Sequence, residues 1–122
     1  MEDLVRWLNT QLDEDERIAR AATPGPWEQG GIGDYGWTVS FSRRNAGVET
    51  EDGEQGHADA EFIAEHDPAR VLREIDSKRR VLGAIEHLLV QVDDPFADVD
   101  GVLRLLAVPY ADRPGYREEW RP

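Results

Sequence analysis

A long amphipathic stretch, from Pro68 to Val92, constrains the fold of this chain more than any other feature. Its stripe residues recur at alternating steps of four and three, which is the period of one buried face along an α-helix. Asp67 fits the N-cap position and Pro68 the first helical position, while residues 93–95 break the helix. The sequence therefore predicts a helix over residues 68–92. The stripe consists of Val71, Ile75, Lys78, Leu82, Ile85, Leu89 and Val92.

Apolar periodicity predicts three more helices. The longest covers residues 3–22 and ends where Thr23-Pro24-Gly25-Pro26 cannot continue a helix. Shorter amphipathic segments predict helices over residues 58–65 and about 97–107. Helices therefore account for most of the predicted regular structure.

A small β-ribbon is predicted between the first two helices. Trp37, Val39 and Phe41 alternate with polar residues, which is the pattern of a half-buried strand over residues 37–41. Residues 27–29 and 48–50 are its candidate partners. An isolated ribbon is marginally stable in water and needs a helical surface. We therefore expect an α+β fold, mostly helical, with a small antiparallel ribbon packed on a bundle built around helix 68–92.

The length of 122 residues predicts a single domain over residues 1–122. Residues 49–57 contain no hydrophobic side chain, so burial cannot compensate for the entropy lost on ordering them. We therefore predict a mobile acidic loop over residues 49–57.

The excess of acidic over basic side chains limits the classes of molecule that this chain can bind. With 26 acidic and 14 basic side chains, the net charge is −12, which repels nucleic-acid phosphates and makes direct nucleic-acid binding a poor interpretation. The same acidic surface suits another protein with a basic surface. The sequence has no cysteine and no apolar stretch of membrane-spanning length. We therefore expect a cytoplasmic protein without membrane contact.

His66 and Asp67 are the catalytic candidates. Adjacent histidine and aspartate side chains can bind a divalent metal in phosphohydrolases, and Glu65 and nearby arginines could assist. The competing interpretation, which we favour, is that Asp67 caps the long helix. The pattern supplies no complete metal-ligand set and predicts no cofactor.

Binding candidates fall in two places. Arg70 and Arg73 lie one helical turn apart and could hold an anion or a carboxylate. Lys78 lies on the apolar stripe, where its ammonium could fix a pairing register or could instead pair with Glu74 or another acid. Near the C-terminus, aromatic residues could form a clasp on the chain or anchor a partner. The predicted binding residues are Arg70, Arg73, Lys78, Arg79, Tyr110, Tyr116 and Trp120.

Three segments, residues 12–27, 66–80 and 103–122, carry the motifs TPGPW, HDPARVLRE with KRR, and LRLLAVPYAD with YREEWRP. Together they resemble a family of small proteins of unknown function from high-GC Gram-positive bacteria and their phages. Where that family reads Asp-His-Pro, this chain has Asp112-Arg113-Pro114, which argues against a catalytic or metal role there. Residues 22–27 and 59–64 are more loosely similar to Ead/Ea22-like phage accessory proteins. The resemblance implies membership and no particular activity.

These observations favour a small acidic, non-enzymatic interaction module that forms a homodimer and derives from a phage or another mobile element. The long stripe could serve an internal core, a second copy, or both. The alternative is a metal-dependent hydrolase or a nucleotide-binding protein that uses the region of His66 and Asp67.

Overall fold

A computed structural model describes residues 1–91 and 98–122, without the side chains of residues 89–91. The described chain is mostly helical and includes a small antiparallel sheet, so the predicted α+β class is confirmed. In chain order the elements are α1 (Glu2–Ala21), β1 (Trp27–Ile32), β2 (Trp37–Phe41), β3 (Gly47–Glu49), α2 (Glu54–Glu65), α3 (Pro68–Gln91) and α4 (Val99–Ala107), followed by 3-10 turns at Val108–Tyr110 and Glu118–Trp120.

The long predicted helix is present as α3, which runs unbroken from Pro68 to Gln91. Three residues of its predicted stripe, Ile75, Leu82 and Ile85, are buried. Val92, the side chain of Leu89 and the predicted helix end at residues 93–95 lie outside the described residues. The spacing of apolar residues therefore identified both the helix and its buried face.

The chain divides into two compact units, and the first comprises residues 1–15 and 75–122. Its core is aliphatic: Leu4, Leu8 and Leu12 on α1 are almost fully buried, as are Leu82 on α3 and Leu103 on α4. The steps of four between the α1 leucines place them on one face of the helix, which is the geometry that a packed helix needs. The single domain predicted over residues 1–122 stays a prediction.

The second unit comprises residues 16–74 and contains the sheet. Strand β2 is central, with β1 and β3 antiparallel on either side. Helix α2 packs against β1 and β2, and Val39 and Ala60 are almost completely buried. This arrangement confirms the predicted strand over residues 37–41 and supplies the helical surface that a small ribbon requires.

Helix α2 begins at Glu54, four residues before the predicted start at residue 58. The hydroxyl of Thr50 donates to the Gly56 carbonyl at 2.6 Å, and Trp37 Nε1 donates to the Gly53 carbonyl at 3.2 Å. The Trp37 ring also meets the His57 ring edge-on, 4.4 Å between centroids. These contacts with Thr50 and Trp37, which lie outside the helix, hold its polar first turn, so residues 54–57 are helical. The mobility predicted for residues 49–57 stays a prediction.

Helix α4 begins at Val99 because Asp98 caps it: Oδ1 of Asp98 accepts a hydrogen bond from the Gly101 N–H at 2.9 Å. The predicted start at residue 97 lies outside the described residues. Among residues 1–91 and 98–122, none of the helices combines the length and the apolar composition that a membrane-spanning segment needs.

Candidate functional site

Asp67, the first catalytic candidate, is held in a network of backbone donors in the second unit. Its Oδ1 accepts from the Arg70 N–H at 2.9 Å, which caps the first turn of α3. Its Oδ2 accepts from the Trp27 N–H, also at 2.9 Å, and thereby ties α3 to the start of β1. Only 7% of Asp67 is exposed. Both oxygens thus serve the fold: the cap on α3 was predicted, whereas the bond to Trp27 was not.

The surroundings of Asp67 favour its charged form. Burial alone would raise the pKa of this carboxyl, but the N–H groups of Arg70 and Trp27 and the charge of Arg73 stabilise the carboxylate. The net result is a pKa below the ordinary value of 3.8. Asp67 is therefore a fixed negative charge at neutral pH rather than a proton donor or acceptor.

His66, the second candidate, closes the end of α2. Its Nδ1 donates to the Phe62 carbonyl at 2.9 Å, and its ring stacks on the exposed Phe62 ring at 4.1 Å between centroids. Within residues 1–91 and 98–122, no three histidine, aspartate or glutamate side chains converge as ligands for a metal ion. The described part of the chain therefore offers His66 and Asp67 no third ligand.

The predicted arginine pair, Arg70 and Arg73, flanks Asp67. Arg70 Nε donates to Glu74 at 3.0 Å and its Nη1 to the Glu65 carbonyl at 3.2 Å. Arg73 is exposed and lies close enough to lower the pKa of Asp67. Arg70 is therefore occupied by its own chain, and a ligand-binding role for the pair stays a prediction.

Lys78 and Arg79 lie in the first unit and contact different elements. Lys78 Nζ lies 3.3 Å from the Tyr110 hydroxyl and 5.6 Å from the centroid of the same ring. Its partner is thus the Tyr110 phenol and not Glu74 or another acid, which was one of the two predicted alternatives. Arg79 Nη2 donates to Asp13 at 2.8 Å. Both cations join α3 to other parts of the first unit, and their predicted binding role is untested.

The predicted aromatic residues near the C-terminus form a cluster with Trp7 of α1. Trp120 and Tyr116 lie 5.4 Å and 5.6 Å from Trp7, and Tyr110 lies 6.5 Å from it, centroid to centroid. Trp7 Nε1 also donates to the Pro114 carbonyl at 3.1 Å. We call these four rings the aromatic clasp. Because Trp120 is buried in it, the C-terminal segment docks on its own chain.

Arginines complete the aromatic clasp. Arg113 lies 5.0 Å from the Tyr110 ring centroid and its Nη2 donates to Asp15. Arg117 lies 5.1 Å from the Trp120 centroid and donates to Asp3 at 3.3 Å. Each arginine thus joins an aromatic face to a carboxylate on α1, which combines cation–π and charge contacts.

A cleft of about 260 Å³ lies beside the aromatic clasp. Its two cations, Arg6 and Arg117, both pair with Asp3, at 3.6 Å and 3.3 Å. The lining is Asp3, Arg6, Trp7, Thr10, Gly115, Arg117 and Trp120. One carboxylate between two guanidinium groups leaves the lining one positive charge in excess. Glu119, which is not part of the lining, lies 3.6 Å from Arg117 and offsets that charge.

In the described part of the first unit, α4 and the residue that follows it expose three apolar side chains. Val102, Leu105 and Val108 recur every three residues and are 44%, 63% and 43% exposed. The charged residues of α4, Asp100 and Arg104, pair with each other at 2.6 Å and leave this face uncharged. We call these three side chains the α4 face. An exposed apolar patch on a highly charged protein is typical of a protein-binding surface.

Sequence reasoning missed three important residues. Trp7 was not predicted as a partner of the C-terminal aromatics, and Arg113 was not predicted to contact α1, because nothing local relates residues about a hundred positions apart. Leu105 was overlooked because it stands among other leucines in the sequence, so its exposed position could not be distinguished from their positions in the core. A helical projection of residues 99–108 could have found it, since apolar residues occupy more than one face of so short a helix.

Comparison with known protein families gives a match. The model of a protein family described as a family of unknown function, DUF6221, matches residues 1–122. No curated protein and no solved structure matches the chain. The predicted membership in a family of unknown function is therefore confirmed, while the individual motifs and the similarity to phage accessory proteins stay predictions.

Proposed function

We propose, given that this chain belongs to DUF6221, a family of unknown function, that it is a small acidic interaction module without catalytic activity. The observation that carries the proposal is the α4 face, where Val102, Leu105 and Val108 stand exposed on a chain in which 33% of residues are charged. Clusters of apolar side chains with a polar rim are the usual centre of a protein–protein contact.

The negative charge around the α4 face indicates which kind of surface a partner protein should have. Asp98 precedes the face along the chain, Asp112 follows it, and both are exposed. The net charge of −12 adds a long-range field of the same sign. A protein with an apolar centre ringed by lysine or arginine would match this surface, and complementary charges would speed its association.

Self-association belongs to the same proposal: we expect a homodimer acting in the cytoplasm. The proposed origin in a phage or mobile element depends on the predicted similarity of residues 22–27 and 59–64 to phage accessory proteins. Sedimentation analysis tests the oligomeric state directly. A protein that remains monomeric at high concentration would contradict the homodimer.

A single substitution tests the α4 face. Leu105→Glu places a charge at its centre, and Ile18→Glu places one on another exposed apolar site, on α1. Immobilised wild type and both variants are incubated with lysate, and bound proteins are identified and quantified. We expect a basic protein that elutes with salt, binds the wild type and Ile18→Glu, and is lost with Leu105→Glu. Equal capture by all three would contradict the proposal.

The enzyme alternative has its own measurement. Thermal unfolding is followed with Mg²⁺, Mn²⁺, Zn²⁺ and common nucleotides. We expect no ligand-dependent rise in the melting temperature, because both oxygens of Asp67 are already bonded to backbone N–H groups. A rise that disappears in His66→Ala would instead support the metal-dependent alternative.

A further inference from the structure

Strand β3 is an outer strand of the sheet, and one side of it is open. The Phe41 N–H donates a hydrogen bond to the Ala46 carbonyl at 3.0 Å, and the Thr50 N–H donates one to the Trp37 carbonyl at 2.8 Å. Along an antiparallel ladder, hydrogen-bonded residue pairs alternate with pairs that are not bonded. Residues 41 and 46 form one bonded pair and residues 37 and 50 another, so the N–H and C=O groups of Val48, which lies midway, point toward β2. The N–H and C=O groups of Gly47 and Glu49 therefore point away from the sheet, and all three β3 residues are exposed.

We propose that two copies of this chain pair through β3, antiparallel, about a two-fold axis at Val48. This register sets Gly47 opposite Glu49 of the second copy, so the outward backbone groups of both residues bond reciprocally. Val48 then meets Val48 of the second copy on the sheet face that holds Val39, its registered neighbour on β2. The inference rests on the homodimer of the proposed function and names its contact.

Charges at the two ends of β3 select a second copy as the occupant. The preceding turn carries Arg43 and Arg44, which are exposed and take part in no ion pair or other charge interaction within the described residues. The segment after β3 carries exposed acids at Glu51, Asp52 and Glu54. An antiparallel pairing centred on Val48 places the arginine turn of each copy beside the acidic segment of the other copy. The two-fold axis makes this contact occur at both ends of the paired strands. Isologous contacts are self-complementary in this way.

The other outer strand is less suited to pairing. Strand β1 is irregular between Gln29 and Gly31, where its register with β2 shifts. Irregularities of this kind interrupt the row of outward donors and acceptors and are a common protection of sheet edges. Strand β3 has a continuous register with β2, so it is the edge that can accept another strand.

The substitution Glu49→Pro tests the backbone contact. Glu49→Pro removes the outward N–H while leaving the Val48 bonds to β2, and Glu49→Ala is the matched control for loss of the side chain. Because symmetry removes two hydrogen bonds per dimer, we expect the dimer of Glu49→Pro to dissociate about tenfold or more readily than that of Glu49→Ala. Circular dichroism checks that both variants fold.

Charge reversal tests the pairing of ends. Arg44→Glu should raise the dimer dissociation constant about fivefold to tenfold, and adding Asp52→Arg should restore it. Arg80→Glu makes the same charge change at an exposed site on α3 and should leave the constant near that of the wild type. Higher salt should weaken the wild-type dimer more than the Arg44→Glu dimer.

Sedimentation of these variants separates the two proposals. A monomeric wild type at high concentration overturns both the homodimer and the β3 pairing. A wild-type dimer that Glu49→Pro and Arg44→Glu leave unchanged overturns the β3 pairing alone. If Leu105→Glu dissociates that dimer, the two-fold contact lies on the α4 face instead.

Discussion

The backbone N–H of Trp27 donates a hydrogen bond to Oδ2 of Asp67, forty residues later in the chain, at 2.9 Å. The other oxygen of Asp67 caps α3 through the Arg70 N–H. One carboxylate thus fixes both the beginning of β1 and the beginning of α3. Trp27 itself is positioned by its indole, which donates to the Thr23 carbonyl at 2.9 Å and stacks on Phe41.

Removing the Asp67 carboxylate should be costly. Asp67→Ala loses the cap and leaves the Trp27 N–H without its acceptor, so we expect a loss of about 2–4 kcal/mol in the free energy of unfolding. Asp98→Ala is the control, since Asp98 is an exposed cap with one backbone donor, and should cost about 1 kcal/mol. Urea unfolding measures both. Equal losses would contradict the bridging role of Asp67.

The contribution of the Asp67 charge should depend on pH. Its pKa in the folded state lies below the ordinary 3.8, so the charged form stabilises the fold above the unfolded pKa, and this stabilisation is lost as pH falls through the folded pKa. The stability difference between wild type and Asp67→Asn should be constant from pH 7 to 5 and shrink below about pH 4. A difference that changes between pH 7 and 5 would contradict this sign.

The tight approach of Gly25 to Asp67 gives a third prediction. A Cβ at residue 25 would lie 2.6 Å from Asp67 Oδ2 and 2.9 Å from the Ala69 Cβ, so Gly25→Ala should lose about 1–3 kcal/mol through crowding. Gly83, on α3, has open space around its Cβ position. Gly83→Ala should therefore gain up to about 1 kcal/mol from helix propensity. Thermal unfolding of the two variants should shift in opposite directions.

The sequence predicted the elements that depend on local periodicity. Helix α3 and strand β2 were found because their apolar residues recur at the periods of a helix and a strand. The early start of α2 was missed because its polar first turn is held by Trp37 and Thr50, which lie outside the helix. Contacts between distant residues leave no local pattern.

The same physical limit applies to the candidate site. Asp67 was recognised as a cap because Asp-Pro at a helix start has a local signature, but its bond to Trp27 had no such signal. Lys78 was correctly singled out as a polar residue on an apolar stripe, yet its partner Tyr110 lies 32 residues away. The sequence thus identified Asp67 and Lys78 as residues that need a hydrogen-bonding partner, and the fold was required to show which residues those partners are.

Arg113 should be difficult to replace, even by lysine. Its guanidinium contacts Asp15, Gln11 and the Tyr110 ring, which a single ammonium cannot do simultaneously. We expect Arg113→Lys to lose about 1–2 kcal/mol and Arg113→Ala about 1–3 kcal/mol. Arg80→Ala, at a pair with 81% and 64% exposed side chains, should change stability by less than about 0.5 kcal/mol. If Arg113→Lys has the same free energy of unfolding as the wild type in urea, a single charge contact with Asp15 is sufficient for the stabilising role of residue 113.

The last prediction concerns whether the aromatic clasp belongs to the fold or to a partner. Trp120 is 8% exposed and packs on Trp7 and Tyr116 at 5.4 Å and 5.9 Å between centroids. Trp120→Ala should therefore lose about 3–5 kcal/mol in the free energy of unfolding. Tyr35→Ala, which removes an aromatic side chain that is 85% exposed, should change it by less than about 0.5 kcal/mol. Should Trp120→Ala unfold at the wild-type urea concentration, Trp120 would contribute little to the fold, and an anchor for a partner protein would become its better interpretation.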